Sequence, residues 1–322
     1  MKIINYLRRL KWLYALYNFF HYKQLRHNLT VFKKYGIRKN YFSRISFREL
    51  EELTRTAPLK EQPWLDAADS KVVLPKHKKF NALDVNTQKA LLNWSRDGYA
   101  ILEKFYSSSD IDFINEEIQR LLKEKKLTQL HNGKVMFGID KSQKLRETAS
   151  PERLTDILSL LLGRKVKLFQ SINFFNGSQQ DAHSDSIHMT TFPLGFLIAV
   201  WIALEDIEVG SGPLFYYPGS HKLNYVMNAD FRKVDNPILF DEHDYTDYER
   251  RIDEVIHENG ITENKKTFLA KKGDLLIWHA NLLHGGNPIQ NPKSTRNSMV
   301  LHYYAEDVIC FHEITERPAL LA

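Results

Sequence analysis

The pattern of hydrophobic positions changes near residue 165, and this change predicts the fold class. Before it, apolar residues recur at helical spacing, as in the run from Ile111 to Leu122 that follows two serines. After it, short apolar runs separated by Gly, Pro and Ser clusters predict strands at 166–175, 190–204, 214–217, 267–270, 274–278 and 296–304. Helices followed by many strands favour an antiparallel sandwich or barrel with helices packed outside, not a doubly wound parallel sheet.

The strand predicted around residue 200 has two different faces. Phe196, Ile198, Val200, Ile202 and Leu204 form a bulky face, whereas the other face carries two alanines, one leucine and Trp201. A strand buried on both sides explains the bulky face but not the alanines. We therefore expect the small face to leave room for a ligand beside Trp201.

Turn signals and charge divide the chain into an arm, a connection and a main domain. Residues 49–80 contain three prolines among charged clusters and predict an irregular connection, so the compact domain is expected to span 81–322. Within it, residues 223–266 form a charged insertion with a predicted helix at 245–257. An insertion of this length more often serves as a lid or substrate loop than as solvated decoration.

The net charge of +6 comes from the N-terminal arm alone. Residues 1–48 contain twelve Lys or Arg and no Asp or Glu, which leaves 33 basic against 39 acidic residues in the remainder. An acidic main body argues against a nucleic-acid partner. The arm, 1–48, is predicted to be helical, and its longest apolar stretch is far too short to span a bilayer.

Three interpretations of this basic, aromatic arm remain open. It packs its apolar stripe on the body or on a second subunit, it lies peripherally on an anionic membrane surface, or it is a cleaved targeting segment.

The single cysteine, Cys310, excludes an intramolecular disulfide and a cysteine-rich metal cluster. A reducing cytoplasm is therefore the expected location, and any metal must use His and carboxylate ligands.

Three residues downstream of the helices have the chemistry of a metal site. His183 and Asp185 are two positions apart, so in extended backbone both side chains project from one face. A third ligand could come from His279 or His284, and His284 is favoured because it stands where an apolar strand breaks into a Gly-Gly-Asn-Pro turn. Two histidines and one carboxylate leave three adjacent positions open on an octahedral ion, which suits non-haem Fe(II).

An arginine distinguishes an oxygenase from a hydrolytic zinc enzyme. Arg296 follows His284 by twelve residues, and Ser298 points the same way two residues later. A guanidinium offers a rigid, charged fork for a carboxylate, and the hydroxyl adds a donor. The pair therefore predicts a site that holds one end of a dicarboxylate.

Together these residues resemble the phytanoyl-CoA dioxygenase family over roughly 81–307. The resemblance rests on the motifs at 182–185, 201–206, 212–222 and 283–287, together with Arg296. It implies a mainly β domain with flanking helices and a double-stranded β-helix (jelly-roll, cupin-like) core. It also implies iron ligation by His183, Asp185 and His284.

The co-substrate site is likewise implied by the resemblance. 2-Oxoglutarate would be held by Arg296 beside Trp201, with Gln170 as a polar pocket residue. The chain departs from the family at Gly286, where a serine that touches the co-substrate is common, and Ser298 is expected to supply that contact instead.

The implied reaction uses Fe(II), 2-oxoglutarate and O2, releases succinate and CO2, and hydroxylates a C–H bond of a small-molecule or lipid-linked metabolite. Because Asp185 occupies the position that a chloride would need, hydroxylation is expected instead of halogenation. A metal-dependent cupin-like hydrolase or isomerase would keep the three ligands without using Arg296. A non-catalytic barrel used for binding is the remaining alternative.

Overall fold

The computed structural model describes residues 10–40, 61–130, 133–227, 230–231, 238–239, 245–312 and 317–318. Over these ranges the chain forms a mixed fold of helices and antiparallel sheets, with helices before residue 165 and strands dominating after it. The expectation of strands flanked by helices is thus confirmed at this level.

The helices lie in the arm, in the first half of the domain and in the insertion. They are α1 Lys11–Phe20, α2 Tyr22–Lys34, α3 Trp64–Ala67, α4 Ser70–Val73, α5 Lys78–Asn81, α6 Val85–Leu91, α7 Trp94–Asp97, α8 Ser108–Lys123, α9 Gln143–Ala149, α10 Glu152–Leu162 and α11 Thr246–Glu258. The predicted helix beside two serines is α8, whose N-cap is Ser107 in a capping box with Asp110.

The strands are short and mostly buried. They are β1 Tyr99–Leu102, β2 Lys134–Met136, β3 Val166–Phe174, β4 Met189–Phe192, β5 Leu197–Ala203, β6 Leu214–Tyr216, β7 Lys266–Phe268, β8 Leu275–His279, β9 His284–Gly286, β10 Ser298–Ala305, β11 Ile309–His312 and β12 Arg317–Pro318. The large sheet has the order β1-β8-β5-β10-β3-β2, and two smaller sheets have the orders β7-β6-β9 and β12-β11-β4. Every pairing between these strands is antiparallel.

The large sheet buries two different faces. Ile198, Val200 and Ile202 of β5 pack in the main core with side chains from α8 and α10. The opposite face of β5 contributes Trp201 and its neighbouring alanines to a second core, where they meet residues of β6 and β7 from the small sheet. The prediction of a bulky face and a small face is therefore confirmed, and the small face is turned toward the space between the two sheets.

One predicted strand, 190–204, is wrong as a single element. It consists of β4 and β5, which belong to different sheets and are separated by a turn at Pro193–Gly195. Proline has no N–H to donate to a ladder, and Gly195 has a φ of +88°, so the chain turns here. Leu92 and Asn93 likewise separate two helices, α6 and α7.

Part of the predicted connection packs into the domain. Leu65 and Leu74 are fully buried in the main core, and Phe80 is nearly so. The part of the connection before residue 61 lies outside the described residues. The division at residue 81 stays a prediction, but residues 64–80 contribute apolar side chains to the same core as the sheet.

The two helices of the arm differ in how they pack. On α2, Val31 and Phe32 join Phe192, Ile309 and Phe311 in a small core against the β12-β11-β4 sheet. By contrast, α1 keeps most of its large apolar side chains exposed. Residues 1–9 and 41–48 of the arm lie outside the described residues, and among the helices that are described none is long and apolar enough to cross a membrane.

The helix predicted at 245–257 is present as α11, and it packs beside the loop that carries His183. Tyr248 and Ile252 share a buried cluster with Ala182, Ile187 and Leu283. In addition, the Ser184 N–H donates a hydrogen bond of 2.9 Å to the Tyr248 hydroxyl. Helix α11 of the insertion therefore supports the loop that carries His183 and Ser184.

Candidate metal centre and dicarboxylate pocket

The structure brings His183, Asp185 and His284 together. Each offers one ligand atom, these atoms lie within 4.8 Å of one another, and all three residues are buried. The backbones of His183 and His284 exchange two N–H···O hydrogen bonds of 2.9 Å, which fixes the two rings beside each other. The three side chains could hold one metal ion.

Hydrogen bonds set which nitrogen of each histidine is free to bind a metal. His183 Nδ1 lies 2.8 Å from the Asp181 carbonyl, and His284 Nδ1 lies 2.9 Å from the Leu282 carbonyl. A carbonyl oxygen only accepts, so each Nδ1 carries the proton and each Nε2 presents its lone pair. Burial, reinforced by His284 and His188, holds the pKa of His183 well below its ordinary value. The neutral imidazole that a metal requires is therefore the stable form.

The Asp185 carboxylate is held by one oxygen and offers the other. Its Oδ2 accepts a 2.8 Å hydrogen bond from Trp278 Nε1. Its Oδ1 lies 3.6 Å from Nε2 of both His284 and His302. Burial alone would raise the pKa of Asp185, but the His284 and His302 rings outweigh it, so the pKa is lowered and the group is ionised.

The three metal-site residues line a cavity, and Arg296 is a buried cation in the wall of the same cavity. It is 2% exposed, and its Nε has no hydrogen-bond partner among the residues that the structure describes. Burial lowers the pKa of Arg296 to about 10. Its guanidinium lies 5.8 Å from the ring centre of Trp201 and 5.6 Å from that of Phe174. A charged group buried this way is stabilised by an anion of matching shape.

The cavity has a volume of about 380 Å³, and two of the other three predicted pocket residues line it. Gln170 and Trp201 line it with the three metal-site residues and Arg296. Ser298 is fully buried opposite Ala203 on the neighbouring strand, but it does not contribute to the cavity lining. Within the described chain, Gln170 Oε1, Trp201 Nε1 and Ser298 Oγ are buried without a hydrogen-bond partner. The Trp201 N–H is a donor that fits a carboxylate or carbonyl oxygen, whereas Gln170 Oε1 only accepts and would pair with a donor.

His279 lies outside this cavity, as expected for a supporting residue. Its Nε2 is 3.3 Å from Asp66 Oδ2, and its Nδ1 accepts a 3.1 Å hydrogen bond from the Asn281 N–H. Its ring also lies 5.5 Å from that of His221. The geometry thus groups His284, and not His279, with His183 and Asp185.

The cavity is also lined by polar residues that the sequence did not single out, among them Lys134, His188 and His302. His302 is on β10 and could have been found by strand alternation, since it follows Ser298 by four residues. Lys134 had no such signal because it lies on the short strand β2, which the pattern did not predict. Burial and the neighbouring Arg296 both lower the pKa of Lys134, so two cations share this end of the cavity.

Close packing explains the glycine at position 286. A Cβ there would lie 2.4 Å from the Ser178 Oγ and 2.9 Å from the Gln179 backbone nitrogen. Ser178 itself lines the cavity. A serine at 286 would therefore displace the segment at 178–179.

We expect Gly286→Ala to destabilise the protein by about 1 to 3 kcal/mol, because the added methyl group overpacks this contact. Urea unfolding followed by circular dichroism measures the change. Gly210→Ala is the matched control, since a Cβ at Gly210 meets nothing closer than 3.5 Å. Equal stability of the two variants would contradict the close contact at position 286.

Comparison with known proteins agrees with this geometry. The family model described as phytanoyl-CoA dioxygenase (PhyH) matches residues 94–298. An ectoine dioxygenase from Sphingopyxis alaskensis is 25% identical over 228 residues, covering 65% of this chain and 73% of the relative.

Two solved structures show the same fold. The carbocyclase SnoK from nogalamycin biosynthesis, described as non-haem and α-ketoglutarate dependent, aligns with a TM-score of 0.56 and 18% identity over 71% of this chain and 87% of its own. EctD from S. alaskensis with 2-oxoglutarate and 5-hydroxyectoine aligns with a TM-score of 0.52 and 21% identity, covering 69% and 76% of the two chains. The chain therefore belongs to the phytanoyl-CoA dioxygenase family and is an iron(II)- and 2-oxoglutarate-dependent dioxygenase.

Proposed function

We propose that this dioxygenase hydroxylates a C–H bond of a small-molecule or lipid-linked metabolite, with release of succinate and CO2. The observation that carries the proposal is the shared cavity: a buried His-Asp-His group and a buried arginine line the same space. When bound, iron and 2-oxoglutarate would supply the activation of O2. A hydrolase would have no use for Arg296.

In this proposal His183, Asp185 and His284 hold the iron. The two imidazoles present Nε2 because their Nδ1 protons are engaged by backbone carbonyls. Trp278 holds one oxygen of Asp185, so the other is directed toward the histidines. Side chains supported in this way would hold the ion with three ligands, and the positions that they do not occupy would remain for the co-substrate and O2.

Arg296 is proposed to hold the distal carboxylate of 2-oxoglutarate. Lys134 adds positive charge at this end, and Trp201 lines the cavity with a buried indole N–H that has no hydrogen-bond partner within the described residues. Gln170 in the cavity wall is proposed as a further polar contact, and Ser298, which does not line the cavity, stays a prediction from the sequence. Their burial excludes water, which strengthens each contact with the carboxylate. The double-stranded β-helix core belongs to the same proposal and is supported by two facing antiparallel sheets that enclose the site.

The rest of the cavity wall is largely apolar and is proposed to receive the substrate. Met136, Phe137, Ile172, Met189 and Val300 line it. A substrate that presents a compact hydrocarbon segment fits this wall better than a highly charged one. The insertion at 223–266 is proposed as the substrate-side lid of the 81–322 domain, because its helix α11 already supports the iron-binding loop.

Release of labelled CO2 from 1-labelled 2-oxoglutarate tests the proposal. We expect release that requires Fe(II) and O2, is abolished by a chelator, and rises when the right substrate is added. A panel of candidate metabolites followed by succinate formation and mass spectrometry then identifies the product. A product lacking one added oxygen atom would contradict hydroxylation, and absence of CO2 release under every condition would contradict the oxygenase assignment.

A further inference from the structure

Helix α1 buries polar residues and exposes apolar ones, which is the reverse of the usual arrangement of an amphipathic helix that packs on a protein core. Its buried residues are polar, since Lys11 is 5% exposed and Asn18 is 2% exposed. Its exposed residues are large and apolar: Trp12 at 54%, Leu16 at 42%, Phe19 at 47% and Phe20 at 76%. A helix that serves only to pack on the body would place these groups the other way round.

Four of the exposed side chains form one stripe, which we call the α1 patch: Trp12, Leu16, Phe19 and Phe20. They are spaced i, i+4, i+7 and i+8, so they lie on the same face of the helix. Ile238, which is also 61% exposed, lies beside the start of the helix, where its carbonyl accepts a 2.9 Å hydrogen bond from the Lys11 N–H. Exposed apolar groups collected in one patch mark an interaction surface.

The rest of the arm holds this patch in place. Leu25, Val31 and Phe32 of α2 are buried, and the last two pack on the body beside Phe192 and Ile309. Leu10, just before α1, forms a β-bridge with Leu239 of the insertion. The patch is therefore presented by an anchored helix, and the start of that helix contacts the same insertion that supports the iron-binding loop.

The charge next to the patch indicates its partner. Residues 10–40 contain seven Lys or Arg and no Asp or Glu, and Lys23, Arg26, Lys33, Lys34 and Arg38 are exposed on or just after α2. An apolar aromatic stripe beside exposed cations has the chemistry of a helix at an anionic lipid surface. A second copy packed patch to patch would bring like charges together.

We propose that α1 docks the protein on anionic membrane surfaces, with the α1 patch inserted among the lipids and the α2 cations near the head groups. This proposal is independent of the reaction at the iron site. It separates the two roles of the arm, because α2 packs on the domain while α1 contacts the membrane. A lipid-linked substrate would be met at the same surface.

Sedimentation with vesicles tests the docking. The full chain is expected to bind vesicles of phosphatidylcholine with phosphatidylserine, to bind phosphatidylcholine alone far less, and to be released by salt. A Trp12→Ser, Leu16→Ser, Phe19→Ser, Phe20→Ser variant should lose at least about tenfold in partitioning, while 2-oxoglutarate turnover stays unchanged. Val72→Ser, Val85→Ser and Val209→Ser form the control, since these body residues are 53%, 62% and 66% exposed.

Trp12 provides a direct signal from the patch. The other four tryptophans, Trp64, Trp94, Trp201 and Trp278, are half-buried or buried. Anionic vesicles should therefore shift the emission to the blue in the full chain but not in Trp12→Ser.

Two results would overturn the proposal. The first is equal vesicle binding by the patch variant and the wild type. The second is a wild-type protein that ignores vesicles but sediments as a dimer that the patch substitutions dissociate, which would assign the surface to a second copy.

Discussion

Asp185→Asn is expected to reduce iron-dependent 2-oxoglutarate turnover by more than about a hundredfold while the protein stays folded. Asparagine keeps an oxygen that can accept the hydrogen bond from Trp278, which is 2.8 Å in the wild type. It removes the negative charge that lies between the His284 and His302 rings. The loss should therefore come from the metal site and not from the packing around it.

Metal binding can be measured without turnover. Titration with Co(II), followed by its visible absorption, should show tight binding in the wild type and weak binding in Asp185→Asn. The thermal unfolding of the two metal-free proteins should be similar. Wild-type metal affinity in the variant would remove Asp185 from the metal site.

His284→Gln and His279→Gln form a matched pair for the third ligand. Both residues are buried, but only His284 directs Nε2 toward Asp185, whereas His279 contacts Asp66. We expect His284→Gln to lose Co(II) binding and His279→Gln to retain it, with some loss of stability. The reverse order would exchange their roles.

The metal-site residues could be predicted from sequence because their chemistry is local. Two ligands are two residues apart and are joined by the extended Ser184, although Asp185 itself begins a short 3-10 helix, and the third stands beside two glycines. The two different faces of β5 could also be predicted, because bulky and small residues alternate along the strand and so lie on opposite faces of the sheet.

Other features depend on contacts between distant segments and left no local signal. Lys134 reaches the cavity through a three-residue strand, and Tyr248 supports Ser184 from 64 positions away. The arm shows the same limit, since its helical spacing indicated an apolar stripe but not which face would be buried. The structure buries Lys11 and Asn18 on α1, which the pattern alone could not indicate.

The structure also changes how the arm should be tested. Removing residues 1–48 as a whole is not a clean test of membrane contact. Because Val31 and Phe32 are buried against Phe192, Ile309 and Phe311, that truncation would uncover apolar surface on the domain. Substitutions confined to α1 avoid this problem.

Arg296→Leu is expected to weaken 2-oxoglutarate binding by about thirtyfold or more, because loss of a charge-assisted contact with a buried carboxylate costs on the order of 2 to 5 kcal/mol. Metal affinity should change little, since Arg296 is not among the residues that could hold the ion. Arg296→Lys should recover only part of the binding, because an ammonium cannot reproduce the planar fork of the guanidinium.

The same substitution should have an unusual effect on stability. Burial lowers the pKa of Arg296 to about 10, which shows that the cation is disfavoured in its surroundings when no anion accompanies it. Replacing it with leucine removes that penalty, so without 2-oxoglutarate the variant should unfold at the same temperature as the wild type or higher. With Co(II) in place of iron, 2-oxoglutarate should raise the unfolding temperature of the wild type but not that of Arg296→Leu. A ligand-induced rise of equal size in both proteins would mean that the carboxylate is held elsewhere, and marked destabilisation of the ligand-free variant would mean that Arg296 serves mainly to hold the fold.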